Sequence, residues 1–188
     1  MKIDFVTGNA QKFEEATHIL ENWELGHVNL DLKEIQGEIR DIITEKTKEA
    51  LKISDKPLIV EDTCLCCPAI GNLPGPYIKD FLRKIDDIGL YDMINKYDDK
   101  SAKVICTVGY IKPGMDEPIL FEGTINGKIV PPKGETRHGK YSWNRIFMPE
   151  GYNKTFGEMT IKEHSECSHR RLALLKFKEY LEEQKKND

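Results

Sequence analysis

The chain opens with a short apolar run, Ile3-Asp-Phe-Val6, that leads into Thr7-Gly-Asn9. Lys2 to Thr7 therefore reads as a strand closed by a turn. From Gln11 to Trp23 the apolar residues Phe13, Ala16, Ile19, Leu20 and Trp23 recur at spacings of three and four, which predicts a helix. Val28, Leu30 and Leu32 alternate as in a second strand. Ile39, Ile42, Ile43, Ala50 and Leu51 predict an amphipathic helix over 39–53. Leu58 to Val60 is a short apolar strand ending at Glu61-Asp62. The stretch after Pro76 is helical through Tyr77, Phe81, Leu82 and Ile85, and residues 90–97 add a further turn or two. The period then changes. Val104 to Ile111 and Ile119 to Val130 are β-like, with Asn126-Gly127 as a hairpin signal. Residues 131–142 are rich in Pro, Gly and Lys and read as a mobile loop, and Ile146-Phe147 as a last short strand. Ser168 is the expected N-cap of a final helix running to about Lys185, with Leu172, Leu175, Phe177, Tyr180 and Leu181 on its apolar face. Helices alternate with strands early and a hairpin follows, so the expectation is an α/β domain with a mixed sheet.

A chain of 188 residues suits one domain over 1–188, with room for two lobes. A net charge of −4 argues against broad nucleic-acid binding, and no aromatic-basic motif suggests an RNA-binding module. No run is apolar enough to span a bilayer and no signal-peptide pattern opens the chain, so no membrane partner and a cytoplasmic location are expected. The five cysteines are an odd number without a secretory signal, which favours reduced thiols. Cys64-Leu-Cys-Cys67 lacks the second Cys/His pair of a zinc site and suits small buried hydrophobes better.

Four stretches carry chemistry. In Phe5-Val-Thr-Gly-Asn-Ala-Gln-Lys12 a glycine permits a tight turn, Asn9 can cap the helix or touch a ligand, and Lys12 sits one turn in, able to reach an anion at the helix start. Taken alone, the stretch fits a plain strand-to-helix turn with an Asn cap better than an anion site. Glu61 and Asp62 stand at the end of a buried strand, where α/β sheets place ligand sites. They alternate in direction, so one of them should face a cleft, to hold a metal or orient water. Leu73-Pro-Gly-Pro-Tyr-Ile-Lys79 is a rigid turn into a helix, with Pro76 at its first position and Lys79 one turn on. Ser168-His-Arg-Arg171 sets positive charge against the dipole at a helix N-terminus, a cost that an anion or a carbonyl-rich ligand there would offset.

Taken in order, these stretches together with Val60-Glu-Asp-Thr-Cys-Leu65 and Phe156-Gly-Glu-Met159 resemble the inosine triphosphate pyrophosphatase family, in its eukaryotic form, over nearly the whole chain. The resemblance implies a mixed, elongated sheet flanked by helices, two lobes around a nucleotide-binding cleft, and a homodimer. It implies a magnesium-dependent nucleoside triphosphate diphosphatase that converts ITP, dITP and XTP to the monophosphate and pyrophosphate, with Mn2+ as a substitute metal. Thr7, Gly8, Asn9, Ala10, Gln11 and Lys12 match the nucleotide loop, with Lys12 on the phosphates. Glu34 and Asp62 match the metal carboxylates, Asp62 also the residue that activates water, and Glu61 stands beside it. Lys46 and Lys79 match phosphate-facing lysines, and His169 and Arg170 the base-recognition pair. Tyr141, Ser142, Trp143 and Asn144 fall on the family's base-binding segment, but Ser142 stands where a glycine is common and Asn144 where an aspartate is. His164 stands at a position commonly filled by lysine. These departures bear on base preference, since an amide donates and accepts where a carboxylate only accepts.

Two other readings belong beside this one. A related pyrophosphatase with a shifted base preference would share the reaction but not the substrate. A catalytically weak nucleotide-binding protein would bind without turnover.

Overall fold

The computed structural model describes residues 2–30, 32–33, 35–136 and 141–187. Its elements are β1 (Lys2–Val6), α1 (Ala10–Ile19), β2 (Glu24–Val28), α2 (Ile39–Leu51), β3 (Leu58–Cys66), β4 (Pro74–Gly75), α3 (Ile78–Ile94), β5 (Ser101–Ile111), β6 (Ile119–Ile129), β7 (Phe147–Pro149), α4 (Ile161–Glu166) and α5 (His169–Asn187). The strands form one mixed sheet in the order β2-β1-β3-β5-β6-β7, with β4 also paired to β3. β1 lies parallel to both β2 and β3, the expected outcome when helices connect successive strands. β7 returns antiparallel to β6.

The chain forms two compact units. The first comprises residues 1–62, 106–123 and 170–188. Its core sets Ile3 and Phe5 of β1, Ala16 and Ile19 of α1, Cys106 and Val108 of β5, and Leu174, Phe177 and Leu181 of α5 against one another. A second cluster packs Ile43 and Ala50 of α2 against Val6, Leu58, Val60 and Ile111. There α2 comes close to β5, because a Cβ on Gly109 would lie 2.4 Å from Thr47 Oγ1 and 2.7 Å from Ile43 Cγ2. The second unit comprises residues 63–105 and 124–169. Its core joins Leu65, Ile78, Leu82, Leu90, Ile94, Val104, Ile129, Phe147 and Phe156.

Several elements differ from the periodicity. α1 stops at Ile19, capped by Leu20, so Trp23 lies beyond it. β2 occupies 24–28 rather than 28–32, because it is the register Lys2↔Glu24 through Val6↔Val28 that pairs it with β1. β3 runs on through Glu61 and Asp62 to Cys66, so the acidic pair sits inside a strand and not at its end. Asn126-Gly127 is no hairpin: β6 continues through it, and Gly127 faces Pro149 of β7. Pro76 lies outside α3, whose N-cap is Tyr77. α4 was not legible, since Ile161 at its start is 84% exposed and its periodicity is too short to register. Its start is a capping box between Thr160 and Glu163. The 131–142 segment is described up to residue 136 and again from 141; residues 137–140 lie outside the described residues.

α3 is interrupted at Asp86, whose backbone (φ 54°, ψ −169°) lies close to a region used almost solely by glycine. Such a conformation costs on the order of 1–3 kcal/mol and persists only where neighbours fix it. Asp86 Oδ1 accepts from the Ile88 and Gly89 amides at 2.9 and 3.1 Å, restarting the helix.

Candidate active site

The loop after β1 turns without a left-handed glycine; Gly8 does not have positive φ, so the turn does not depend on its freedom. Asn9 caps α1, its Oδ1 accepting from the amides of Gln11 (3.0 Å) and Lys12 (3.2 Å). The Asn9 amide in turn donates to buried Thr7 Oγ1 at 3.1 Å. His27 on β2 stacks on Phe13 of α1 and has Nε2 3.0 Å from the Thr7 carbonyl, bracing the loop from the neighbouring strand. Asn9→Ala should cost about 1 kcal/mol, read as a lower urea midpoint with an unchanged slope.

This cap delivers Lys12 to the centre of a buried ionic cluster in the first unit. The Lys12 ammonium pairs with Glu61, which is 4% exposed. Arg170, also buried, donates from Nε to Glu61 Oε2 at 2.6 Å and from Nη1 to Glu15 Oε2 at 2.6 Å. Cys106 on β5 donates its thiol to the same Glu61 oxygen at 3.1 Å. Burial alone would push the Glu61 carboxyl up, but the charges of Arg170 and Lys12 reverse this and hold it far below the usual carboxylate range. Burial works against the Arg170 charge, and Glu61 and Glu15 more than compensate. The Cys106 thiol is raised by burial and by Glu61, so it is a neutral donor and not a nucleophile. The cluster answers the dipole mismatch at the start of α5: the anions that offset the arginine there are the protein's own carboxylates.

Asp62, next on β3, points away from this cluster, as strand alternation requires. Its Oδ2 lies 3.5 Å from Lys46 Nζ on α2. Glu34 lies outside the described residues.

In the second unit, the Tyr141–Asn144 segment leads into Ile146 and β7. Tyr141 is exposed, while Ser142 and Asn144 are buried. The Trp143 ring meets Phe147 edge-on at 5.7 Å and lies 5.7 Å from the His169 ring. Phe156 bridges His164 (4.6 Å, edge-on) and His169 (6.5 Å, nearly parallel). Lys79 is exposed in the first turn of α3.

Thus the structure gathers Thr7 to Lys12, Lys46, Glu61, Asp62 and Arg170 in the first unit, and Lys79, Tyr141 to Asn144, His164 and His169 in the second. Sequence reading missed Glu15 and Cys106. Glu15 carried a signal, since it follows Lys12 by three residues and shares its helix face. Cys106 carried none, because its role depends on β5 lying next to β3.

The five cysteines are buried free thiols, and burial pushes Cys67 up to about 12. Among the described residues no group of three or more His, Cys, Asp or Glu side chains is placed to hold a metal by itself. No helix among them is long and apolar enough to cross a membrane.

Comparison with known proteins bears on what this arrangement does. The Ham1 family model matches residues 3–180. The chain is 44% identical over 183 residues to the inosine triphosphate pyrophosphatase of Schizosaccharomyces pombe, covering 96% of this chain and 95% of that protein. It is 45% identical over 185 residues to the inosine triphosphate pyrophosphatase of Yarrowia lipolytica, covering 97% of each. Two solved structures share the fold at low identity. The Ham1 protein of Coxiella burnetii superposes with a TM-score of 0.86 at 20% identity, covering 97% of this chain and 99% of that one. The Staphylococcus aureus Ham1 protein gives 0.81 at 23%, covering 96% and 99%.

Proposed function

From the premise that this chain belongs to the Ham1 family, we propose that it is a nucleoside triphosphate pyrophosphohydrolase acting on ITP, dITP and XTP and keeping these nucleotides out of RNA and DNA. The observation that carries the reading, beside the full-length similarity to two inosine triphosphate pyrophosphatases, is a lysine held at a capped helix start by a buried glutamate.

The triphosphate is the ligand of the loop Thr7–Lys12, Lys46 and Lys79. Lys12 comes to it pre-positioned by Glu61, so little ordering is left to do when the phosphates arrive. Asp62 takes the proton from the attacking water. The water oxygen forms a bond to the α-phosphorus, the bond from that phosphorus to the bridging oxygen breaks, and pyrophosphate leaves with the electron pair. The base belongs to Trp143, Asn144, His164, His169 and the arginine beside it, with Tyr141 and Ser142 flanking. Of these, Arg170 is held by Glu61 and Glu15 through Nε and Nη1, so it meets the base in a fixed position. A 6-oxo base offers an acceptor to the pocket's donors; a 6-amino base leaves buried donors unpaired at about 1–3 kcal/mol each.

Magnesium is the proposed metal, with manganese as a substitute, held by Asp62 and Glu34. The partly buried Asp62 carboxylate suits a hard cation that keeps several waters and takes its other ligands from phosphate. When bound, it neutralises charge on the triphosphate. A cytoplasmic homodimer completes the proposal.

The test is a kinetic panel of ITP, XTP, dITP, GTP and ATP with pyrophosphate detection. Turnover should favour the first three, vanish with excess EDTA and return with added magnesium. Binding without turnover on every nucleotide would overturn the reading.

A further inference from the structure

Asp87 and Arg145, which no step of the proposed reaction uses, make a bidentate ion pair in the second unit. Arg145 Nε donates to Asp87 Oδ2 at 2.8 Å and Nη2 to Oδ1 at 3.2 Å. Asp87 is 7% exposed. Two features mark this pair as more than a surface contact. Asp87 follows Asp86, whose positive-φ conformation breaks α3 and turns Asp87 inward. Arg145 follows Trp143 and Asn144 directly, and its main chain is tied on both sides: its carbonyl accepts from Lys133 N at 2.9 Å, and the Asn144 carbonyl accepts from Gly157 N at 2.8 Å. A Cβ on Gly157 would stand 3.1 Å from Arg145 Cα and under 3 Å from the carbonyls of Lys133 and Glu135, so the backbones are in direct contact there.

What this frame holds in place is an amide nitrogen without a partner. Asn144 is 3% exposed, and its Nδ2 is buried without a hydrogen-bond partner among the described residues. A buried amide nitrogen left unpaired is costly, and one held beside a strained helix break and an arginine fork is consistent with a donor kept ready for a ligand. We propose that the Asp87–Arg145 fork is a positioning pair that fixes Trp143 and Asn144 against the purine base. The proposal rests on the reading, given above, that this segment faces the base.

The test uses the full chain with magnesium and compares Asp87→Asn, Arg145→Lys and Asn144→Ala, each assayed with ITP and ATP. Asp87→Asn should raise the KM for ITP about tenfold and lower the ITP-to-ATP ratio of kcat/KM by a similar factor, with kcat for ITP little changed, since a small misplacement is costly. Arg145→Lys keeps the charge and one hydrogen bond and should move both quantities less in the same direction; it decides the matter if Asp87→Asn does not fold. A merely structural pair would lower the melting temperature and leave KM and the base ratio alone, and that result overturns the proposal. Asn144→Ala separates the two layers. If it shifts the ratio while the fork variants do not, the positioning role fails alone; if it too leaves the ratio unchanged, the base-facing reading fails and takes the proposal with it.

Discussion

Glu61→Gln should lower the midpoint of thermal unfolding on the order of 10 °C, from a loss of roughly 3–5 kcal/mol when one partner of a buried ionic cluster is neutralised. Glutamine fits the space but leaves the buried Arg170 guanidinium with Glu15 alone and Lys12 without its counter-charge. The same change releases the Lys12 ammonium from its fixed position, so kcat/KM for ITP should fall along with stability. Differential scanning calorimetry checks the first effect, and a midpoint within about 2 °C of the parent would refute it. The pH dependence has a definite sign. Burial would push this carboxyl up, but Arg170 and Lys12 hold it far below the ordinary range. Its contribution is therefore fully present above the unfolded-state value of about 4.3, and is lost only as pH falls through the much lower folded value. The stability gap between parent and Glu61→Gln should stay nearly constant from pH 7 to pH 5. A gap that widens as pH falls through that window would mean that the folded-state carboxyl titrates above the ordinary range and not below it.

Much of the fold could be read from apolar spacing because the early elements bury one face each. The helix at 39–53 and the strand at 58–60 were recognisable from Ile42, Ile43, Leu58 and Val60, all buried as their spacing required. The errors share a physical origin. The strand at 28–32 was placed by alternation, whereas its position is set by pairing with β1, and pairing is non-local. Asn126-Gly127 has the composition of a hairpin, but β7 lies alongside β6 at that point and extends the strand through it. The sequence pattern ends β3 at two acids because acids usually mark exposure; here Arg170 and Lys12 make a glutamate compatible with a buried strand.

The candidate site divides the same way. Lys12 and Asn9 were legible as a local unit, since a cap and the lysine three residues later depend only on chain geometry. The arginine at the start of α5 reads as a ligand-binding charge from sequence, and the carboxylates it pairs with in the fold, Glu15 and Glu61, lie 155 and 109 residues away in sequence. Asp87 and Arg145 gave no signal at all, because neither their spacing nor their types differ from those of solvated surface charges. Only the helix break at Asp86 shows why this aspartate is buried.

Asp62→Asn should have the opposite profile to Glu61→Gln: a large loss of turnover with a small change in stability. The side chain is partly exposed, and its Lys46 partner stands at 3.5 Å, so an amide there costs little folding energy. The amide cannot take the proton of the attacking water and is a poorer ligand for a hard cation. The expected loss in kcat with ITP is about 10²- to 10⁴-fold. Binding of a non-hydrolysable ITP analogue, measured by calorimetry, should be far less affected, because Lys12 and the capped loop remain in place. A variant that keeps more than about a tenth of kcat would remove Asp62 from the proton-transfer step. Comparing the two adjacent substitutions therefore tests the alternation of β3 itself. On the proposed reading, one face of the strand carries a carboxylate that builds the site and the other one that acts in it, so the ratio of stability loss to activity loss should invert between positions 61 and 62.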